Sequence, residues 1–151
     1  QTGCELLQDP TVIEYAGRSI LLMHGDSLCT QDTEYMAVRQ MLRNPDVQKD
    51  LLSKSLEERS AIAQGARNQS KEHTRETAAD IMDVTQSEVE RVMTENRVQL
   101  MIHGHTHRPA VHELEVAGEA AKRIVLGDWG EFGWCLKVNE KDEELVKFRL
   151  D

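Results

Sequence analysis

Four of the six histidines, His24, His103, His105 and His107, follow directly on the two most apolar stretches of the chain, SILLM (19–23) and VQLMI (98–102). Imidazole can take up or release a proton near neutral pH and is the commonest side-chain ligand for zinc, manganese and iron-type ions. Each cluster carries a glycine, His24-Gly25-Asp26 and His103-Gly104-His105-Thr106-His107, so the backbone can turn sharply where the rings are presented. Alternation along an extended chain would set His105 and His107 on one side, within reach of one site. Asp26 and Asp128 are the carboxylates placed to join them. A dinuclear hydrolytic centre needs about four ligands per ion and usually a bridging carboxylate. His24, His105 and His107 fall short of that set, so what is visible is half a site.

The other candidates carry less. His103 ends a strand and reads as a buried structural histidine, whereas His73 and His112 read as solvated side chains. Cys29 has no evident base and third group beside it, so it is not a nucleophile. The stretch 67–75 (RNQSKEHTR) is basic and rich in hydroxyls and amides, which suits a phosphate or a sugar, or simply a solvated helix face.

Strands must position these loops. Val12 to Tyr15 and the SILLM run flank a turn at Gly17; a nearly continuous apolar run suits a strand covered on both faces. Ligand sites of layered α/β folds form at the carboxyl ends of such strands. Between 32 and 97 the pattern turns helical, with capping boxes predicted at Ser55 with Glu58 and at Thr85 with Glu88. The part from Gln48 to Thr77 is polar with a thin apolar stripe, as in an exposed helical lid. After 98 the predicted strands are 98–102, 111–116, 123–126, 132–138 and 143–150, at the spacing of an antiparallel meander.

The 151 residues allow one domain, and 39% hydrophobic with 30% charged residues is a globular composition. A net charge of −9 disfavours a nucleic-acid partner, which would need a basic face. Three cysteines without metal-type spacing are expected to be reduced thiols. No apolar run approaches the ~20 residues of a membrane-spanning helix. The start at Gln1 is that expected of a processed or partial chain.

The phrases LLMHGDSLCT (21–30), DIMDVTQ (80–86), IHGHTHRPAVH (102–112) and IVLGDW (124–129), in this order, resemble the UDP-2,3-diacylglucosamine hydrolases of lipid A biosynthesis. These form a branch of the calcineurin-like metallophosphoesterases. The resemblance covers essentially the whole chain and matches the C-terminal portion of the family pattern. It implies a four-layer α/β/β/α sandwich, here as a partial domain over 1–151 with the helical insertion at 32–97. It implies a site with two Mn²⁺ ions that hydrolyses the pyrophosphate of UDP-2,3-diacylglucosamine, giving UMP and 2,3-diacylglucosamine 1-phosphate (lipid X). The implied chemistry is in-line attack by a metal-activated water. By position, His24 and His105 share one ion and His107 serves the other; His105 also lies near the reacting phosphate as the catalytic residue. Asp32, Ser70, Thr74 and His105 match positions that contact the substrate, whereas Thr77 stands where relatives often carry a lysine. The family's Asp-x-His, Gly-Asp and Gly-Asn-Arg segments have no counterpart here. The implied partner is a glycolipid nucleotide, in a cytoplasmic protein with peripheral contact at the inner membrane. Two alternatives stand beside this: a non-catalytic half-site that binds metal, and a related phosphoesterase with another substrate.

Overall fold

The computed structural model describes residues 3–78 and 81–150, apart from the side chains of Thr74 and Glu76. Two compact units emerge, one made of Gln1–Leu28 with Val84–Asp151 and the other of Cys29–Asp83.

The first unit is built on a mixed five-stranded sheet. Its strands are β1 (Thr11–Tyr15), β2 (Arg18–Met23), β3 (Leu100–His103), β4 (Ala110–Val116) and β5 (Glu119–Val125), in the order β1-β2-β3-β5-β4. β2, β3 and β5 run parallel, with Met23, His103 and Val125 in one row at their carboxyl ends. β1 and β4 pair antiparallel at the two edges.

Period-2 alternation sorts the strand residues between two cores. Leu21 and Met101 join Val89, Val92 and Met93 from the first unit's helix, Gln86–Asn96, in one core. Ile20, Leu100 and Ile124 face the other way, against Leu136, Val138 and Leu145 of a separate hairpin, β6 (Phe132–Val138) with β7 (Glu143–Arg149). Helix, sheet and hairpin therefore stack as three layers. Each fully buried side chain of this size contributes about 1.5–3 kcal/mol.

The hairpin is also tied to the sheet by charge. Glu143 of β7, its side chain 3% exposed, pairs with Arg18 of β2 and, at 2.8 Å, with Lys122 of β5. Burial alone would raise its pKa, but the hydrogen bonds from Lys122 and Arg18 outweigh this and hold it below the usual carboxylate range. A depressed carboxylate stabilises the fold above its unfolded pKa, and the gain is lost as pH falls through the folded value. Glu143→Ala should therefore cost about 1–3 kcal/mol near neutrality, because it leaves two half-exposed cations facing each other. Urea unfolding should show the gap between variant and wild type shrinking below the ordinary carboxylate pKa of 4.5.

The second unit holds α1 (Thr33–Leu42), α2 (Pro45–Ser53) and α3 (Leu56–Glu76); the helix Gln86–Asn96 of the first unit is α4. Asp32 caps α1 by accepting from the Tyr35 N–H, and Asn44 caps α2, with Pro45 in the first turn where it suits helix entry. Ser55 and Glu58 form the predicted capping box of α3. Neither α1 nor α2 has a buried residue, and Val38, Met41, Leu42, Leu52, Leu56 and Ile62 are all exposed.

Three expectations change. The second capping box does not form: the Thr85 N–H is taken by the Leu28 carbonyl at 2.8 Å, and the Glu88 carboxylate is taken by Arg91. The late strands are not one meander, because β5 pairs parallel with β3 and the turn through Asp128 starts a different sheet. The stretch 32–97 contains the four α-helices of the described residues, but α4 packs in the core of the sheet unit, since Val89, Val92 and Met93 form a stripe wide enough to bury.

Candidate functional site

Three loops leave the aligned carboxyl ends of β2, β3 and β5, carrying His24-Gly25-Asp26, Gly104-His105-Thr106-His107 and Gly127-Asp128. Backbone hydrogen bonds knit them together: the Gly104 N–H donates to the His24 carbonyl at 3.1 Å and the Leu126 N–H to the His103 carbonyl at 2.8 Å. Such loops on a rigid sheet are where α/β folds place ligands.

The His24 and His105 rings meet with centroids 5.0 Å apart and planes tilted by 58°. His24 is half-exposed, its Nδ1 lies 3.2 Å from Oδ1 of the buried Asp26, and its backbone N–H donates to the Asp9 carboxylate. With Nδ1 turned towards the Asp26 carboxylate, the ring has Nε2 left for a ligand.

His105 sits in an uncommon backbone. The Thr106 N–H donates to the Gly104 carbonyl at 2.8 Å across His105, whose φ is 65°. That is a γ-turn of the rare, strained kind. His107 also has positive φ, at 52°. The period-2 argument for His105 and His107 therefore does not apply, because Gly104 ends the extended chain before them. Strain held at two successive histidines of a strand-end loop is a mark of a functional site. Among the described residues the Thr106 hydroxyl is buried there without a hydrogen-bond partner.

His103 is the structural histidine expected. It is 1% exposed, its Nδ1–H donates to the Gly104 carbonyl at 2.9 Å, and its Nε2 then accepts from Arg123 at 3.0 Å. That arrangement requires the neutral ring, since an imidazolium would point an N–H at a guanidinium. Gly25, with φ of 102°, packs on this ring: a β-carbon there would fall 2.6 Å from His103 Nδ1. Sequence reasoning missed Arg123, although a charge inside the apolar KRIVL run of β5 was a usable signal; Asp9 offered none.

The helical unit holds the remaining expected site residues. Asp32 is 5% exposed and capped into α1, and Ser70 is an exposed residue of α3. Thr74 lies on α3 with its side chain outside the described residues, and Asp80 of the DIMDVTQ phrase lies outside them altogether. His73 departs from expectation: it is not solvated, and its Nε2 lies 2.8 Å from Asp32 Oδ2. His112 is exposed on β4, Cys29 is buried, and Asp128 is exposed.

No family model matches the chain. Curated relatives do. The chain is 49% identical over 148 residues to a UDP-2,3-diacylglucosamine hydrolase of Pseudomonas fluorescens (strain Pf0-1), covering 98% of this chain and 60% of the relative. It is 50% identical over 150 residues to that of Stutzerimonas stutzeri (strain A1501), and 51% identical over 150 residues to that of Ectopseudomonas mendocina (strain ymp). Both of these alignments cover 99% of this chain and 62% of the relative. Over the length it spans, the chain is similar to these hydrolases at about 50% identity. It spans about 60% of the length of these UDP-2,3-diacylglucosamine hydrolases.

The two manganese ions implied by the resemblance can be tested against the residues present. His24 and His105 approach as two ligands of one ion would. Yet among the described residues no group of three or more His, Cys, Asp or Glu side chains converges so as to hold a metal ion. The described residues gather two imidazoles and not a metal-holding set.

Proposed function

We propose that the protein carrying this chain hydrolyses the pyrophosphate of UDP-2,3-diacylglucosamine, releasing UMP and lipid X in lipid A biosynthesis. The observation that carries this reading is the near 50% identity, over almost the whole chain, to proteins named for that hydrolysis. Two of the strand-end loops support it, since they bring the His24 and His105 imidazoles together, side chains of the kind a phosphoester site uses. His24, His105 and His107 are assigned as ligands of the two manganese ions, with His105 also at the reacting phosphate. An imidazole there can donate a hydrogen bond to a phosphate oxygen and stabilise the charge that builds up on it. Asp32, Ser70 and Thr74 are assigned as substrate contacts. The helix, sheet and hairpin layers support a four-layer α/β/β/α sandwich of the calcineurin-like type. No helix among the described residues is long and apolar enough to cross a membrane. Exposed Leu52 and Leu56 on the helical unit support peripheral contact at the cytoplasmic face of the inner membrane.

A substrate panel tests the reading with the product of the complete gene. Manganese-supported turnover of UDP-2,3-diacylglucosamine, lost on chelation with EDTA and absent with UDP-N-acetylglucosamine, is the expected result. Turnover of the simple sugar nucleotide without the diacyl one would instead favour a phosphoesterase of shifted substrate. A protein inert to both would favour the non-catalytic half-site.

A further inference from the structure

The helical unit contains a histidine that the functional assignment leaves unused. Nε2 of His73, on the last turn of α3, lies 2.8 Å from Oδ2 of Asp32, the residue that caps α1. Its Nδ1 lies 3.3 Å from Glu34 Oε2 and 3.3 Å from the Thr77 hydroxyl. A neutral ring could donate from Nε2 to Asp32 and accept the Thr77 hydroxyl at Nδ1, but only the imidazolium can donate to both carboxylates, Asp32 and Glu34. Among the described residues the charged groups facing the ring are Asp32 and Glu34 from the start of α1, with Thr77 from the cap of α3. The Asp32 carboxylate is fixed on both oxygens, by the Tyr35 N–H at 2.9 Å and by His73.

Resting on the functional reading above, we propose that His73 in its charged form is a positioning residue for substrate binding. It orients Asp32 and draws the segment of α3 bearing Ser70 and Thr74 to the start of α1. The fold gives it few substitutes, because α1 and α2 bury nothing of their own and α3 is polar along its length. The Asp32 hydrogen bond, aided by the Asp32 and Glu34 charges, raises the His73 pKa above the ordinary 6.5 despite partial burial. A raised histidine holds the unit together below its unfolded pKa, and the effect is lost as pH rises through the folded value. Substrate affinity should follow the same course, and loss of the imidazolium should leave the chemical step untouched.

The test uses the product of the complete gene. In the wild type, KM for UDP-2,3-diacylglucosamine should rise about tenfold as His73 deprotonates, with kcat changing less than about threefold. His73→Ala should show the high KM at all pH values. His73→Gln, which keeps an N–H for Asp32, should hold KM within about threefold of the low-pH wild type and remove the pH dependence. By NMR the His73 ring should titrate above 6.5 and fall towards it in Asp32→Asn. An unchanged KM in His73→Ala with normal turnover, or a ring titrating at or below 6.5, would overturn this proposal alone. No turnover of this substrate by the wild type would overturn the functional reading and this proposal with it.

Discussion

Replacing His105 by alanine in the product of the complete gene should lower kcat by about 10²–10³, as loss of one preorganised partner of a developing phosphate charge does. The melting temperature should stay within a few degrees of the wild type. The two halves of that prediction have separate causes. His105 is only half-buried, in a loop after β3, and supports no apolar core. Alanine keeps a β-carbon, so the cost of the left-handed backbone stays about the same and the change should be mild for stability. Its neighbour two residues back should behave in the opposite way. His103→Ala removes a fully buried ring and one partner of the buried Arg123, so it should lose stability first and activity only as a consequence. Paired melting curves and rate measurements on the two variants check the division. Full activity in His105→Ala would remove the histidine loops from the site.

The second large effect is on the fold. Gly25→Ala should destabilise the sheet unit by about 3 kcal/mol or more, read by urea unfolding. Its φ of 102° is a conformation L-residues rarely adopt, and the added methyl would meet His103 Nδ1 at 2.6 Å. That ring cannot yield cheaply, because both of its nitrogens are bonded, to the Gly104 carbonyl and to Arg123. Movement of residue 25 would also shift His24 against His105, so activity should fall further than the loss of folded protein explains. A variant as stable as the wild type would mean that the close contact is not real.

Much of this was legible beforehand because it rests on local signals. SILLM read as a doubly covered strand and VQLMI as a strand, and they pair in parallel within the sheet, each ending at a histidine loop. Ser55 with Glu58 announced the start of α3 through a hydrogen-bond pattern that spans three residues. The misreadings have non-local causes. Thr85 with Glu88 has the letters of a capping box, but Leu28 and Arg91 claim the groups it needs. His73 looked solvated because its partner Asp32 is 41 residues away in sequence. The γ-turn at His105 follows from a hydrogen bond to Gly104, and the sequence shows only the glycine, not the turn it permits. Parallel pairing of β5 with β3 is invisible in either strand, since it depends on register across an intervening hairpin.

The function proposed above places these histidine loops in a UDP-2,3-diacylglucosamine hydrolase. Its most direct test is the release of UMP from UDP-2,3-diacylglucosamine by the product of the complete gene, followed beside its His105→Ala variant. Stoichiometric UMP and lipid X from the wild type, with the variant slowed by about 10²–10³, is the predicted result. Absence of both products from a folded, manganese-supplied wild type, or equal rates in the two proteins, would contradict it.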